Sequence, residues 1–377
     1  MNRVTLFTKL TLLFMGSAAM LSNLAVTTAM PHLKQYFNSP FIELYSRLMI
    51  TLPALSIALL SPFLGIYIAK FGKRNSALVG FVLFTLFGSA GLYLAQIEAL
   101  LLSRFLLGIG IAVIMIVTTS LVGDYFEGEA RYKFMSLQNS FMAAGGAVFV
   151  IGGGVLTDIF WRLPFGVYLA GLLFIPAVIL HIFDVKKVEI HESSKLTKPL
   201  YFIFGLGFLY MAIFFILPTQ MPFLIMDIYG ASGKLTGAII ATSFVGSTIG
   251  AIFFSPFKAK FGFAQIFLLA VLINSLGLVG VGIVKNIHFF FLTSFIIGFG
   301  GGLAMTNMSA WMLSYTNIHQ RVKASSLLVS AIFLGQFISP FMTFPVVAKV
   351  GVQNAFLYIG IMLLFIVVLG FLRVLRK

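Results

Sequence analysis

The chain has no cysteine, and only 9% of its 377 residues are charged. The first absence excludes a disulfide framework, a thiolate metal site and a cysteine nucleophile. The second excludes a water-covered surface, because a soluble domain carries about one quarter charged residues. Acid is scarcest, with 10 Asp and Glu against 25 Lys and Arg, for a net charge of +15. That excess does not point to nucleic acid. The basic residues are scattered in pairs between apolar runs, and no segment gathers them into a binding face. Neither a metal nor a cofactor is expected. All ten carboxylates and all five histidines fall in loops or at the ends of apolar runs. A membrane-embedded enzyme would need such groups clustered at one depth, so no enzyme is expected.

What is abundant is hydrophobic: 60% of residues, with 43 Phe and a mean hydropathy of +1.07. A hydrocarbon core of about 30 Å needs about 20 apolar helical residues. Cutting the sequence at charged and Pro/Gly-rich breaks yields twelve such runs, at 10–30, 46–68, 76–95, 100–122, 135–157, 164–183, 200–224, 234–256, 265–284, 289–312, 323–346 and 354–373. The first is led by Arg3 and Lys9 like a secretory leader. Its apolar run continues through "LSNLAVTTAM", too long for one, and reads as an uncleaved span. One extended polar segment, 184–199, parts the runs six and six. The expected organisation is a bundle over 1–183, a linker over 184–199 and a second bundle over 200–377. With the N-terminus inside, eighteen basic residues fall on the cytoplasmic side and five on the outer side. Both termini are therefore expected in the cytoplasm.

"AKFG" occurs at 69–72 and again at 259–262, and the register extends well beyond it. A slide of 190 sets Lys70 on Lys260, Gly72 on Gly262, Gly108 on Gly298, Gly110 on Gly300, Tyr125 on Tyr315 and Gly145 on Gly335. Near the start the offset is 191, and Met30-Pro31 falls on Met221-Pro222. The chain is thus expected to be an all-α membrane protein, twelve helices in two parallel six-helix repeats. Such repeats are related by a pseudo-twofold axis along the membrane normal, with a substrate site between them.

The stretch "GIYIAKFGKRN", Gly65 to Asn75, resembles the loop signature G-x-x-x-D-R-x-G-R-R of the major facilitator superfamily. Gly65, Lys70, Gly72, Lys73 and Arg74 match in place or conservatively, while Ala69 stands at the acidic position. "SRFLLGIGIA" is similar to the family's R-x-x-x-G motif through Arg104 and Gly108, and "GGAVFVIGGGVLTDIFWRLPF" to a glycine-rich stretch of its exporters. The Gly-Pro pair of the drug:proton antiporters is absent. The resemblance implies that the basic loop residues pair with an acid after the fourth span, forming an inner gate. Asp124 is the candidate.

The resemblance also implies a cavity lined by spans 1, 4, 7 and 10. Uncharged polar residues in otherwise apolar runs offer a lining: Asn23, Thr27 and Thr28; Thr118 and Thr119; Gln138 and Asn139; Tyr210, Thr219 and Gln220; Asn307 and Trp311; and Gln336. Each Asn or Gln serves equally well as an interhelical hydrogen bond, and Trp311 as an interfacial anchor. Arg104 is the one ionisable group well inside a span. It reads either as a functional group or as an arginine snorkelling from the outer end. Glu43 and Arg47 form an i,i+4 pair that reads as solvated.

The function implied is a secondary carrier working by alternating access in a bacterial-type inner membrane. It would export small organic molecules that are drug-like, sugar-like or metal-chelating, and act as a monomer. Proton antiport is the family's expectation. No carboxylate sits deep in a span, so Glu43, Asp158 and Asp227 near the outer side are the coupling candidates. The alternatives are a facilitative or import carrier for an anionic or zwitterionic solute, and a lipid flippase on the same scaffold.

Overall fold

The computed structural model describes residues 4–24, 26–37, 39–126, 128–184, 196–316 and 321–375. Its long helices are α1 (Leu6–Leu24), α2 (Ile42–Phe71), α3 (Lys73–Gly88), α4 (Ile97–Tyr125), α5 (Gly128–Ile159) and α6 (Gly171–His181). Then follow α7 (Lys198–Phe214), α8 (Gly233–Lys258), α9 (Phe263–Ile283), α10 (Phe289–Ser314), α11 (Arg321–Val350) and α12 (Val352–Leu375). Among the described residues ten stretches are long and apolar enough to cross a membrane, and Leu6–Ala18 and Ala144–Ile159 are shorter apolar helices. The protein is an all-α, multi-pass membrane protein. It divides into two compact units, Met1–Ile190 and His191–Lys377, and the division falls within the polar segment 184–199.

Four of the expected runs are not single α-helices. The third ends, without proline, in a 3-10 turn over Ser89–Leu92, and proline accompanies the other three departures. After α1 the chain tightens into a 3-10 helix, Thr27–His32, containing Pro31. After α7 it continues as Ile216–Pro222 and then widens into a π-helix, Phe223–Ile228. The sixth run begins as a 3-10 helix, Leu163–Ala170, with Pro164 at its start. Proline has no N–H to give the preceding turn and its ring crowds that turn's carbonyl. Met30-Pro31 and Met221-Pro222, matched by the repeat, therefore sit at breaks in matching places of the two units, one tightened and one widened.

Both units pack in the same pattern. In the first, α4 lies against α2 and α3, α1 against α5, and α3 against α6. In the second, α10 lies against α8 and α9, α7 against α11, and α9 against α12. The glycines of the repeat are where backbones approach. A Cβ on Gly108 would strike the Pro53 carbonyl of α2, and one on Gly298 the Ser243 carbonyl of α8, again 190 residues on. A Cβ on Gly110 or Gly300 would stand 2.8 Å from the carbonyl oxygen of Gly80 or Ala270 respectively. Without a hydrophobic force between helices in lipid, such close contact supplies much of the adhesion.

A polar clamp repeats too. Arg162 Nη1 donates to the carbonyls of Gly91 and Leu94 at 2.9 and 2.8 Å. Gln353 Nε2 donates to those of Val281 and Val284 at 3.3 and 2.7 Å. Each satisfies carbonyls freed at the end of the third helix of its unit, groups a helix end leaves without partners. The chemistry differs, charged in one and neutral in the other, but the place is the same.

Candidate functional site

The loop between α2 and α3 turns at Gly72, whose φ of 85° lies in the left-handed region that only glycine enters without strain. Immediately after it α3 begins, with its first amides unpaired. Asp184, from the chain beyond α6, supplies the acceptor: its Oδ1 takes the backbone N–H of Lys73 at 2.8 Å and of Arg74 at 3.1 Å. The carboxylate thus caps α3 from 111 residues away, where the helix dipole favours negative charge. Gly72 has a second reason to lack a side chain, since a Cβ there would stand 2.8 Å from Asp184 Oδ2.

Lys73 Nζ is paired with Asp124 at the end of α4. Arg74 does not join that pair. Its Nη2 donates to the carbonyl of Ile179 in the last turn of α6 at 2.5 Å. Tyr125 completes the assembly: its hydroxyl bonds the Phe183 carbonyl at 2.5 Å and accepts from the Phe183 amide at 3.0 Å, and the two rings stack. The α2–α3 turn and the ends of α4 and α6 are therefore tied together by charge and hydrogen bonds at one end of the first unit. Lys70 is exposed, and Gly65 lies within α2.

The Lys73–Asp124 pair has no counterpart at the matched positions of the second unit. Positions 263 and 314, matched to Lys73 and Asp124, are Phe and Ser. There Phe263 stacks on Trp311 with ring centroids 6.1 Å apart, Lys258 lies over the Phe263 ring, and Asn307 Nδ2 donates to the Phe263 carbonyl at 3.0 Å. Asn307 and Trp311 are thus engaged with Phe263, the first residue of α9.

Arg104 is fully buried, so it does not snorkel. Its Nη2 donates to the Gly88 carbonyl at 2.6 Å and its Nη1 to the Tyr168 hydroxyl at 3.1 Å. The guanidinium lies 4.9 and 5.1 Å from the ring centres of Phe165 and Tyr168. Gly88 and Gly91 admit those rings, since a Cβ on either would overlap them. A cation inside the fold is thus held by π faces and two oxygens rather than by a carboxylate. Its match in the second unit is Ser294, buried with its hydroxyl unbonded.

The remaining candidates are spread through both units. Thr28 bonds Thr157 at 2.9 Å, linking the segment after α1 to α5, and Thr27 is buried beside it. Gln220 Nε2 donates to Thr343 at 3.1 Å, joining the seventh run to α11 as Thr28 joins the first to α5. Thr118 and Thr119 bond carbonyls of their own helix. Gln138 packs on Gly16 of α1. Tyr210 meets Asn274 at 3.4 Å. Gln336 is buried with its Nε2 unbonded. The side chains of Asn23 and Asn139 lie outside the described residues. Glu43 and Arg47 pair at 3.6 Å but are not both solvated, because Arg47 is only 2% exposed and Glu43 60%. Asp158 and Asp227 are exposed. Sequence reasoning did not find the roles of Asp184, Tyr125, Tyr168 or Phe263. The only signals were an acid just past a span and aromatics at span ends.

The Major Facilitator Superfamily family model matches residues 12–219 and again 202–377. The chain belongs to the Major Facilitator Superfamily. As a member it is a membrane transporter, not an enzyme. Over 173 residues it is 28% identical to Multidrug resistance protein 1 of Bacillus subtilis (strain 168), covering 41% of this chain and 42% of that one. Over 153 residues it is 29% identical to Quinolone resistance protein NorA of Staphylococcus aureus (strain Mu50 / ATCC 700699), covering 40% and 37%. The chain thus spans about two fifths of the length of these relatives. Among solved structures, a bacterial homologue of the human lysosomal transporter Spinster matches with a TM-score of 0.77 and 17% identity, covering 97% of this chain and 95% of that one. A point mutant of the peptide transporter POT matches with a TM-score of 0.77 and 13% identity, covering 100% and 96%. These structural likenesses bear on the superfamily fold alone.

Proposed function

We propose that this superfamily member exports amphipathic, drug-like organic molecules across a bacterial inner membrane by alternating access, with both termini in the cytoplasm. The observation that carries the proposal is the charged tie of Lys73, Asp124 and Asp184 in a chain related to drug-resistance proteins. An ion pair between partly exposed groups is worth little in stability, about 0–1 kcal/mol, so it can break and re-form within a transport cycle. In this reading Gly65, Lys70, Gly72, Lys73, Arg74 and Asp124 form the inner gate. Arg104 acts as a positioning residue, since Gly88 and Tyr168 hold its two Nη groups while its Nε–H is buried without an acceptor, and uncharged side chains such as Gln220 and Gln336 meet the substrate. A substrate without strong charge fits that set better than an ion does.

Coupling is the part for which a second reading has support. Glu43, Asp158 and Asp227 are exposed, and among the described residues no carboxylate is buried. A buried carboxylate is the usual mark of a proton relay in a membrane. Weak proton coupling through one of these three, or facilitated diffusion without coupling, follows from that placement. The test is flux of a fluoroquinolone and of a neutral amphipathic dye in proteoliposomes, with and without a pH gradient. Uphill export that disappears in Asp124→Asn supports the carrier and its gate. Absence of flux for any such compound would refute the export reading.

A further inference from the structure

One end of the first unit holds a cavity of about 270 Å³, walled by Thr5 and Thr8 at the start of α1, Arg74 of α3, and Leu180, His181 and Phe183 at the end of α6. Drug-sized ligands occupy about 300–1,000 Å³, so this space suits a head group better than a cargo molecule. Its chemistry is cationic and donor-rich. Of the five N–H groups of Arg74, one is given to the Ile179 carbonyl, while Nε–H is buried without an acceptor. The neighbouring carboxylates are engaged elsewhere: Asp184 by the amides of Lys73 and Arg74, and Asp124 by the Lys73 ammonium. Among the described residues no carboxylate pairs with Arg74. A donor left unsatisfied costs free energy, which an anion seated against the guanidinium would recover.

We propose that this cavity binds a phosphate group, and that the phosphate is the head group of an anionic phospholipid. A guanidinium matches phosphate oxygens two at a time. The hydroxyls of Thr5 and Thr8 lie 3.0 Å apart and share one proton between them, which leaves the second O–H to donate. His181, stacked on Phe7, adds a ring N–H. The surroundings select a lipid over a free ion. Leu6, Phe7 and Leu180 are 68%, 62% and 73% exposed, an apolar flank that acyl chains would cover and inorganic phosphate would not. Basic pockets at membrane-helix ends are suited to such head groups. With the orientation proposed above, the lipid belongs to the inner leaflet.

The test uses the purified full chain in mild detergent, titrated with dioctanoylphosphatidylglycerol, dioctanoylglycerol and inorganic phosphate, and read by native mass spectrometry and thermal unfolding. Phosphatidylglycerol should bind and raise the unfolding temperature, and dioctanoylglycerol should do neither. Arg74→Gln should weaken binding about tenfold, the order expected for a charge-assisted bond, with Arg74→Lys in between. Leu180→Ser leaves the Arg74 contact in place and should weaken the lipid while leaving phosphate unchanged, which keeps the test informative if Arg74→Gln folds poorly. Equal binding of dioctanoylglycerol, or lipid binding unchanged in both Arg74→Gln and Leu180→Ser, would overturn the site. Inorganic phosphate binding as tightly as the lipid would overturn the lipid as its source.

Discussion

Arg104 is the residue whose environment says most about how this protein handles charge in lipid. Among the described residues its guanidinium meets no carboxylate and rests instead on two aromatic faces, a tyrosine hydroxyl and one backbone carbonyl. Truncation would free the Gly88 carbonyl inside the fold and empty the space between Phe165 and Tyr168. Arg104→Ala should therefore cost about 2–5 kcal/mol in stability, seen as a lowered unfolding temperature in detergent. Arg104→Lys should recover only part of it, since an ammonium cannot reach both oxygens in the plane of the fork. Full stability in Arg104→Ala would show that the arginine acts on something other than the fold. The sequence singled out Arg104 because a charge inside an apolar run is costly. It could not show the partner, because Tyr168 is 64 residues away and reads as one aromatic among many.

At the scale of elements, the start of α3 is held by an acceptor that belongs to another part of the chain. Asp184→Ala removes the cap of the Lys73 and Arg74 amides, at a cost of about 1 kcal/mol. Hydrogen exchange should quicken in the first turn of α3 and leave α4 unaffected. Asp124→Asn should leave that turn protected and instead loosen the inner end of α4 from α3. If the two variants gave the same exchange pattern, the cap and the ion pair would be one device rather than two. The glycine contacts allow a sharper test of the repeat. Gly110→Ala and Gly300→Ala each drive a methyl to 2.8 Å from a carbonyl oxygen. Overpacking of this kind costs about 1–3 kcal/mol, and the two variants should lose similar stability. A cost in only one would mean that the backbones of the two units yield differently.

For the molecule as a whole, the prediction is topological. The absence of cysteine makes single-cysteine labelling clean. Asn75→Cys, exposed beside the α2–α3 turn, should react only from the cytoplasm, and Ser232→Cys, exposed before α8, only from outside. Labelling of both from one side would refute the orientation drawn from eighteen inner basic residues against five outer ones.

The sequence by itself determined the class, the number of apolar runs and the two-fold repetition. These depend on composition and on spacing along the chain, and in hydrocarbon an apolar run of about 20 residues satisfies its own backbone hydrogen bonds as a helix. The family resemblance, rather than the residues alone, pointed to Lys73 and Arg74 as partners of Asp124, and of these Lys73 is the one that pairs. Only the tertiary structure decided that Arg74 turns to the end of α6, that Asp184 caps α3, and that Arg104 is enclosed by aromatics. It alone showed that the repeat of the Lys73 site in the second unit is an aromatic stack on Trp311. Each of these joins groups far apart in sequence through a few side-chain contacts, and isolated contacts leave no periodic trace. The breaks at Pro31 and Pro222 lie between the two cases. Proline forbids an unbroken ladder wherever it falls, but whether the chain tightens or widens there is settled by the helices packed against it.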